Sequence, residues 1–246
     1  MNNHDLGKAM IQTNNNDSKP TVDYAMILTS AVHDMKNSLC LVLQSIETMA
    51  SELEKEQKNN KHSATLADLH YEVLRLNSSL IQVLSLYRDE NDQLPLNITE
   101  CFIGDYFQEL LVKNQIYSKN HQIETLIEID PELVWYCDHN LVSYLITDIY
   151  INALRYSQGK IKVTASIADN KLTLVIADNG QGYSDSMLKA QSQSMAELGN
   201  KQGRTGLGLY FARLIASAHN NKNVRGSIKL ANGGELGGGV FTLILP

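Results

Sequence analysis

The chain has 246 residues, 43% of them hydrophobic, and a formal net charge of -6. That apolar content supports a packed core and excludes a disordered protein, while the acidic balance argues against a nucleic-acid binder, which would carry a basic face. Cys40, Cys101 and Cys137 are odd in number and lack metal-ligand spacing, no apolar run approaches the ~20 residues of a membrane span, and no signal peptide opens the chain, so a cytoplasmic protein without membrane insertion is expected.

Residues 1–19 are polar, with Asn14-Asn15-Asn16-Asp17 at their centre, and read as a mobile tail. Pro20 suits the first turn of a helix, which then runs to about Gln57. Apolar residues recur at Leu28, Val32, Met35, Leu39, Val42, Ile46, Met49 and Leu53, in steps alternating between four and three. That is the heptad spacing of a helix packed in a bundle. His33 lies one place past Val32, on the flank of this stripe, and Asp34 follows directly. Asn37 lies one turn on, over the face of His33. A histidine on a helix is ordinarily a polar surface residue, so this stretch carries no assignment by itself.

Glu56 to His62 reads as a turn, and Thr65 with Asp68 makes a capping-box-like pair for a second helix. Its stripe is Leu66, Leu69, Val73, Leu76, Leu80, Val83 and Tyr87. One antiparallel hairpin cannot bury both stripes, whereas two form a four-helix bundle, so the pattern predicts a homodimer over residues 20–92.

Pro95 ends this module. Residues 93–246 alternate strand and helix: strands over Leu96–Ile103 and Ile123–Ile129, helices over Asp105–Lys119 and Asp138–Tyr156. Strands Lys160–Ile167 and Lys171–Ala177 follow, with Ala168-Asp169-Asn170 as a hairpin turn. A polar stretch, Ser184–Gln202, precedes a helix over Leu207–His219 and strands over Arg225–Ala231 and Gly239–Leu245. The glycines between those last strands read as a hairpin loop. The expected architecture is a helical hairpin followed by a two-layer α/β sandwich with a mixed sheet and helices on one face.

Three stretches suit a nucleotide. Asp148 and Asn152 share a helical face; an Asn carboxamide can join a Mg²⁺ shell filled mostly by phosphate and water. Arg155 is placed to reach a phosphate, and Tyr156 to cover a base or ribose. In Asp178-Asn179-Gly180-Gln181-Gly182, a carboxylate at a strand end can accept from an adenine amino group, and glycines Gly180 and Gly182 let backbone approach a ligand. In Gly203-Arg204-Thr205-Gly206-Leu207-Gly208, glycines open a helix whose free N–H groups suit phosphate. Taken singly, these are an amphipathic helix, an Asn-Gly turn and a Gly-rich turn.

Their order and spacing are more specific. Together they resemble the sensor histidine kinases, whose ATP-binding domain has the Bergerat fold shared with gyrase-type ATPases. The resemblance covers roughly residues 21–246, with the His33 stretch similar to the H box and the Asn152 stretch to the N box. Asp178–Gly182 and Gly203–Gly208 are similar to the two glycine boxes. It implies ATP and Mg²⁺ as cofactors, phosphorylation of His33, Asp34 holding its imidazole, Asn152 on Mg²⁺ and Asp178 reading adenine. The glycines then shape a mobile lid over the phosphates, and Arg204, Thr205, Gly206 and Gly208 count among the nucleotide-binding residues. The phosphoryl group passes to an aspartate on a response-regulator receiver domain.

Asp34-Met35-Lys36-Asn37 resembles the pattern of family members that also dephosphorylate their regulator, with Asn37 holding the water. Departures are Ser38 where Pro is common, Arg204 where a small residue is common, Asp148 where Asn is common, and no phenylalanine between Gly182 and Gly203. No sensor domain is legible before the first helix, so a separate sensor protein is the expected input. The competing readings are a non-catalytic phosphotransfer scaffold, separated by ATP binding, and a Bergerat ATPase or serine kinase, separated by acid lability of the phosphoprotein.

Overall fold

The computed structural model describes residues 24–55, 65–77, 79–80, 96–191 and 204–246. The expected tail, the turn after the first helix, the end of the second helix, the linker and residues 192–203 of the polar stretch lie outside the described residues. Helix α1 spans Tyr24–Lys55 and α2 covers residues 65–77. The heptad stripe of α1 divides in space. Val32 and Ile46 are buried, as is Ala50 beside the stripe, while Met35, Val42 and Met49, seven apart, are exposed. On α2, Ala67, His70, Tyr71 and Val73 are buried, and Leu69 and Leu76, again seven apart, are exposed.

The remainder is an α/β sandwich in the order β1 (Ile98–Phe102), α3 (Ile103–Asn120), β2 (Glu124–Glu128), β3 (Val134–Asp138), α4 (His139–Tyr156), β4 (Lys160–Ala168), β5 (Lys171–Asp178), α5 (Asp185–Ala190), α6 (Arg204–Ala218), β6 (Asn220–Asn221), β7 (Val224–Arg225), β8 (Ser227–Asn232) and β9 (Gly239–Leu245). The main sheet has five strands in the order β2-β4-β5-β9-β8. Only β2 and β4 run parallel within it, so the sheet is mixed as the sequence pattern predicts. Asp169 and Asn170 close the β4–β5 hairpin with φ of 51° and 55°. Two consecutive positive φ values make a turn whose twist matches the strands, and Asp and Asn tolerate them.

Strict alternation along β5 and β9 places one row of side chains under the helices. Leu172 faces Leu245, Leu174 faces Leu243 and Ile176 faces Phe241 in register. From α4, Leu145, Ile146, Tyr150, Ile151 and Leu154 pack into the same core, and from α6 Phe211 and Ile215. Each of these fully buried side chains contributes roughly 1.5–3 kcal/mol.

Sequence and structure differ in several elements. The strand β3 was absent from the expected pattern because Val134–Asp138 is short and does not alternate cleanly; it is a strand because it pairs with β1 outside the main sheet. The small β6–β7 hairpin also escapes a periodicity reading, at two residues per strand. Helix α6 begins at Arg204, not Leu207, so Arg204, Thr205 and Gly206 are already helical. The polar stretch from Ser184, for which the pattern gave no element, opens with α5, whose N-cap is the Ser184 hydroxyl accepting from Met187 N.

One residue secures the start of α4. Asp138 Oδ1 accepts from Leu141 N at 3.0 Å, and its Oδ2 accepts from Asn97 N at 2.8 Å. Its own N–H donates to buried His219 Nε2 at 3.0 Å, and His219 Nδ1 donates to Ile215 O at 2.8 Å. The partners assign the Nδ1–H tautomer and bind the end of α6 to the start of α4.

Inside the hairpin, His70 is 1% exposed and its Nε2 lies 3.5 Å from Glu47 Oε1. Burial pushes its pKa below the usual value of 6.5, outweighing the pull of Glu47. Folded His70 therefore takes up a proton less readily than the unfolded chain does. Its contribution to stability is full above about 6.5 and is lost as pH falls below that value. The thermal midpoint of the parent, followed by circular dichroism, is expected to fall on acidification from pH ~6.5 to ~5 more steeply than that of His70→Gln. Identical slopes would show that His70 carries none of this dependence.

Candidate functional site

The alternation that fills the core also sets the site. Asp178 is the last residue of β5 and continues the inward row Leu172, Leu174, Ile176, so a carboxylate sits at the edge of the core, 8% exposed. A buried carboxylate requires donors. Asp178 Oδ1 accepts from Gly180 N at 2.6 Å and from Gly239 N at 3.3 Å. Its backbone carbonyl accepts from Gly238 N at 3.1 Å. Residues 178–180 and 238–239 thus wrap one carboxylate.

The wrapping works only with glycine. A Cβ at Gly238 would run into the Asp178 carbonyl and lie 2.6 Å from Oδ1, and one at Gly239 would lie 2.8 Å from Oδ2. A Cβ at Gly180 would run into the Tyr156 carbonyl at the end of α4. Gly182 has φ of +75°, a left-handed conformation that favours glycine. The role of Gly238 and Gly239 is not legible in their sequence setting, where they resemble an ordinary hairpin loop. Only the register of β9 on β5 brings them onto Asp178.

Two asparagines hold the surrounding chain. Asn179 Oδ1 accepts from Gln158 N at 2.8 Å and Lys160 N at 2.9 Å, joining this loop to the turn after α4. Asn232, at the end of β8, accepts from Tyr183 N at 2.7 Å and donates to Tyr183 O at 2.8 Å. The Tyr183 ring packs over Gly239, and burial, reinforced by the Asp178 charge, pushes its phenol well above the usual range.

The other expected residues fall around this cradle. Asn152, Arg155 and Tyr156 are exposed on the last turns of α4, beside Gly180 through the Tyr156 carbonyl. The Arg155 guanidinium lies 5.7 Å from the ring centres of both Tyr156 and Tyr71 of α2. Asp148 faces α6, where a Cβ at Gly208 would lie 3.5 Å from Asp148 Oδ2. The side chains of Arg204 and Thr205, and the surroundings of Gly206, lie outside the described residues. So do the side chains of His33 and Asp34, whose backbone belongs to α1. Asn37 is exposed on α1, and Lys36 Nζ donates to Tyr144 OH of α4 at 3.2 Å. A shallow cavity of about 450 Å³ lies elsewhere, between α3 and β2 near Leu111, Lys119 and Glu124. It shares no residue with the Asp178 cradle.

The family described as histidine kinase-, DNA gyrase B-, and HSP90-like ATPase matches residues 137–246. The adaptive-response sensory kinase SasA of Gloeothece citriformis is 26% identical over 205 residues, covering 78% of this chain and 51% of that protein. Sporulation kinase D of Bacillus subtilis is 22% identical over 210 residues, covering 85% of this chain and 40% of its own. The chain therefore spans about half the length, or less, of these curated relatives. Among solved structures, the Acinetobacter baumannii histidine kinase AdeS superposes with a TM-score of 0.55 at 20% identity, covering 85% of this chain and 95% of that one. Full-length ShkA in complex with AMPPNP superposes with a TM-score of 0.58 at 20% identity, covering 90% and 46%. These likenesses show a shared fold of helical hairpin and α/β sandwich.

The cradle predicts a contrast between two glycines. Gly238→Ala is expected to cost about 1–3 kcal/mol, because its Cβ meets backbone that cannot move aside. Gly104→Ala in α3, whose Cβ would meet ordinary contacts at 3.5 Å, is expected to be neutral or stabilising. Urea unfolding checks both, and equal midpoints would show that the 238–239 turn yields freely.

Proposed function

Because residues 137–246 match the histidine kinase-, DNA gyrase B-, and HSP90-like ATPase family, and the similar proteins include a sensory kinase and a sporulation kinase, we propose that this protein is an ATP-dependent histidine autokinase of a two-component system. The observation that carries the reading is the Asp178 carboxylate, buried at a strand end, wrapped by glycine N–H groups and set beside the exposed end of α4. No helix among the described residues is long and apolar enough to cross a membrane.

A carboxylate accepts more than two hydrogen bonds, so Asp178 retains capacity for an adenine amino group while its glycine donors fix its direction. Asn152 offers a carboxamide oxygen, a donor suited to a Mg²⁺ that arrives with phosphate oxygens and water. MgATP supplies the γ-phosphoryl group and the metal charge that neutralises it. The glycines at 180 and 182, and Gly206 in the first turn of α6, let backbone approach the nucleotide, while Gly208, one turn further in, keeps the helix face beside Asp148 open. The ShkA complex with AMPPNP, a structure of this fold, supports a nucleotide as the occupant.

His33 is the acceptor on α1. Neutral imidazole carries a nucleophilic ring-nitrogen lone pair, and its reference pKa of about 6.5 leaves it mostly neutral near pH 7. The N–P bond forms as the bond from the γ-phosphorus to the β,γ-bridging oxygen breaks, leaving ADP. Asp34 accepts a hydrogen bond from the other ring nitrogen, fixing the tautomer and supporting positive charge on the ring. Phosphohistidine then passes the group to a carboxylate of a receiver-domain aspartate. Asn37, one turn on, meets the same receiver and holds a water in line for dephosphorylation.

The test is incubation with labelled MgATP. Acid-labile label is expected on the parent and absent from His33→Ala, while Asn37→Ala labels normally and dephosphorylates its regulator at least about tenfold more slowly, or ~1.4 kcal/mol in barrier. Acid-stable label, or label persisting in His33→Ala, would sink the histidine reading.

The exposed rows Met35, Val42, Met49 and Leu69, Leu76 support a homodimer through the hairpin, because their seven-residue spacing is that of a bundle seam. Sedimentation is expected to give a dimer for the parent and a monomer for Leu76→Glu. A parent that stays a compact monomer at micromolar concentration would contradict the dimer.

A further inference from the structure

We propose that Asn232, outside the glycine-rich stretches, is a positioning residue of the nucleotide site, which holds the 179–183 strap in its ligand-ready shape. The inference rests on the nucleotide reading of the Asp178 cradle and deepens it.

The strap is fixed at both ends by the β8–β9 hairpin. At its start, Gly238 N donates to the Asp178 carbonyl. At its end, the Asn232 carboxamide makes both bonds that a neighbouring strand would make to the Tyr183 peptide, accepting from its N–H and donating to its carbonyl. The side chain thus imitates a backbone amide and ties the Tyr183 peptide to the last residue of β8, which itself pairs with Gly239. Gly182 is matched to it: a Cβ there would lie 2.6 Å from Asn232 Oδ1 and 3.2 Å from Nδ2. Between these two anchors lies Gly180, whose N–H directs the Asp178 carboxylate.

Asn232 itself is exposed, so water competes for both bonds and their effect on global stability is small. Their effect on geometry is larger, because two bonds to one peptide fix its orientation as well as its distance. Without them, Tyr183 and Gly182 shift, and the carboxylate loses the fixed setting that its ligand meets. The loss falls on binding, and a bound nucleotide still presents its phosphate to the hairpin.

The test uses the full chain and measures AMPPNP affinity by titration calorimetry, the KM and kcat of autophosphorylation, and the thermal midpoint. Asn232→Ala is expected to raise the AMPPNP Kd and the KM about fivefold or more, with kcat and thermal midpoint close to the parent. Asn232→Asp keeps the acceptor but sets a second acceptor against the Tyr183 carbonyl, so it is expected to bind no better than Asn232→Ala. Asn232→Gln keeps both functions and is expected to recover part of the affinity. Asp178→Ala separates the two readings: if it binds as the parent does, or the parent does not bind, the nucleotide assignment falls and the role of Asn232 with it. If the parent binds, Asp178→Ala does not, and Asn232→Ala keeps the parental Kd, the positioning role alone is overturned. A lowered thermal midpoint with unchanged Kd would likewise overturn it, showing Asn232 to be merely structural.

Discussion

The structure depends on a carboxylate placed where the core ends. Asp178 continues the row of Leu172, Leu174 and Ile176, so strand periodicity carries a charge to the rim of an apolar layer. A carboxylate there costs several kcal/mol unless donors reach it. The donors are the backbone N–H groups of Gly180 and Gly239. That requirement forbids side chains at Gly180, Gly238 and Gly239 and fixes how the end of α4, the strap and the β8–β9 hairpin meet. The fold around the site follows from satisfying one charge.

The end of α4 serves two neighbours. Its last carbonyl, at Tyr156, abuts Gly180 on one side. Its Arg155 guanidinium covers the Tyr71 ring on the other, and Tyr71 packs on Tyr117 of α3 with centroids 5.0 Å apart. Tyr117 stacks on His121 at 4.2 Å, and His121 Nε2 meets Asp68 Oδ1 at 3.0 Å. This run of rings and charges joins α2 to the sandwich, while Lys36 on Tyr144 joins α1 to it. Ala67 and Tyr71 therefore face the α/β core as well as the hairpin, which a heptad reading of α2 alone does not convey.

The hairpin shows why one stripe can hold two interfaces. Val32 and Ile46 turn inward, while Met35, Val42 and Met49 stay outside at bundle spacing. Sequence periodicity reports that all of these positions are apolar on one side of a helix. It does not say which neighbour covers each, because that depends on where α2 and the sandwich come to rest.

The sequence by itself determined whatever is local or periodic. The helical stripes, the alternating strands and the Asp169-Asn170 hairpin could all be read from residue spacing, since each is a property of a few neighbouring residues, whereas the Asn152, Asp178 and Gly206 stretches stood out only through their resemblance to a family. Tertiary structure alone decided what depends on contacts distant in sequence. β3 is a strand because β1 lies beside it, not because its five residues alternate. Gly238, Gly239 and Asn232 join the site because β9 pairs with β5 and β8 with β9, bringing them to Asp178 and Tyr183 from some fifty to sixty residues away, as in the separations of 49 and 61 between bonded partners. His219 secures α4 from 81 residues beyond Asp138. Spacing along a chain holds no record of such meetings; register and packing create them.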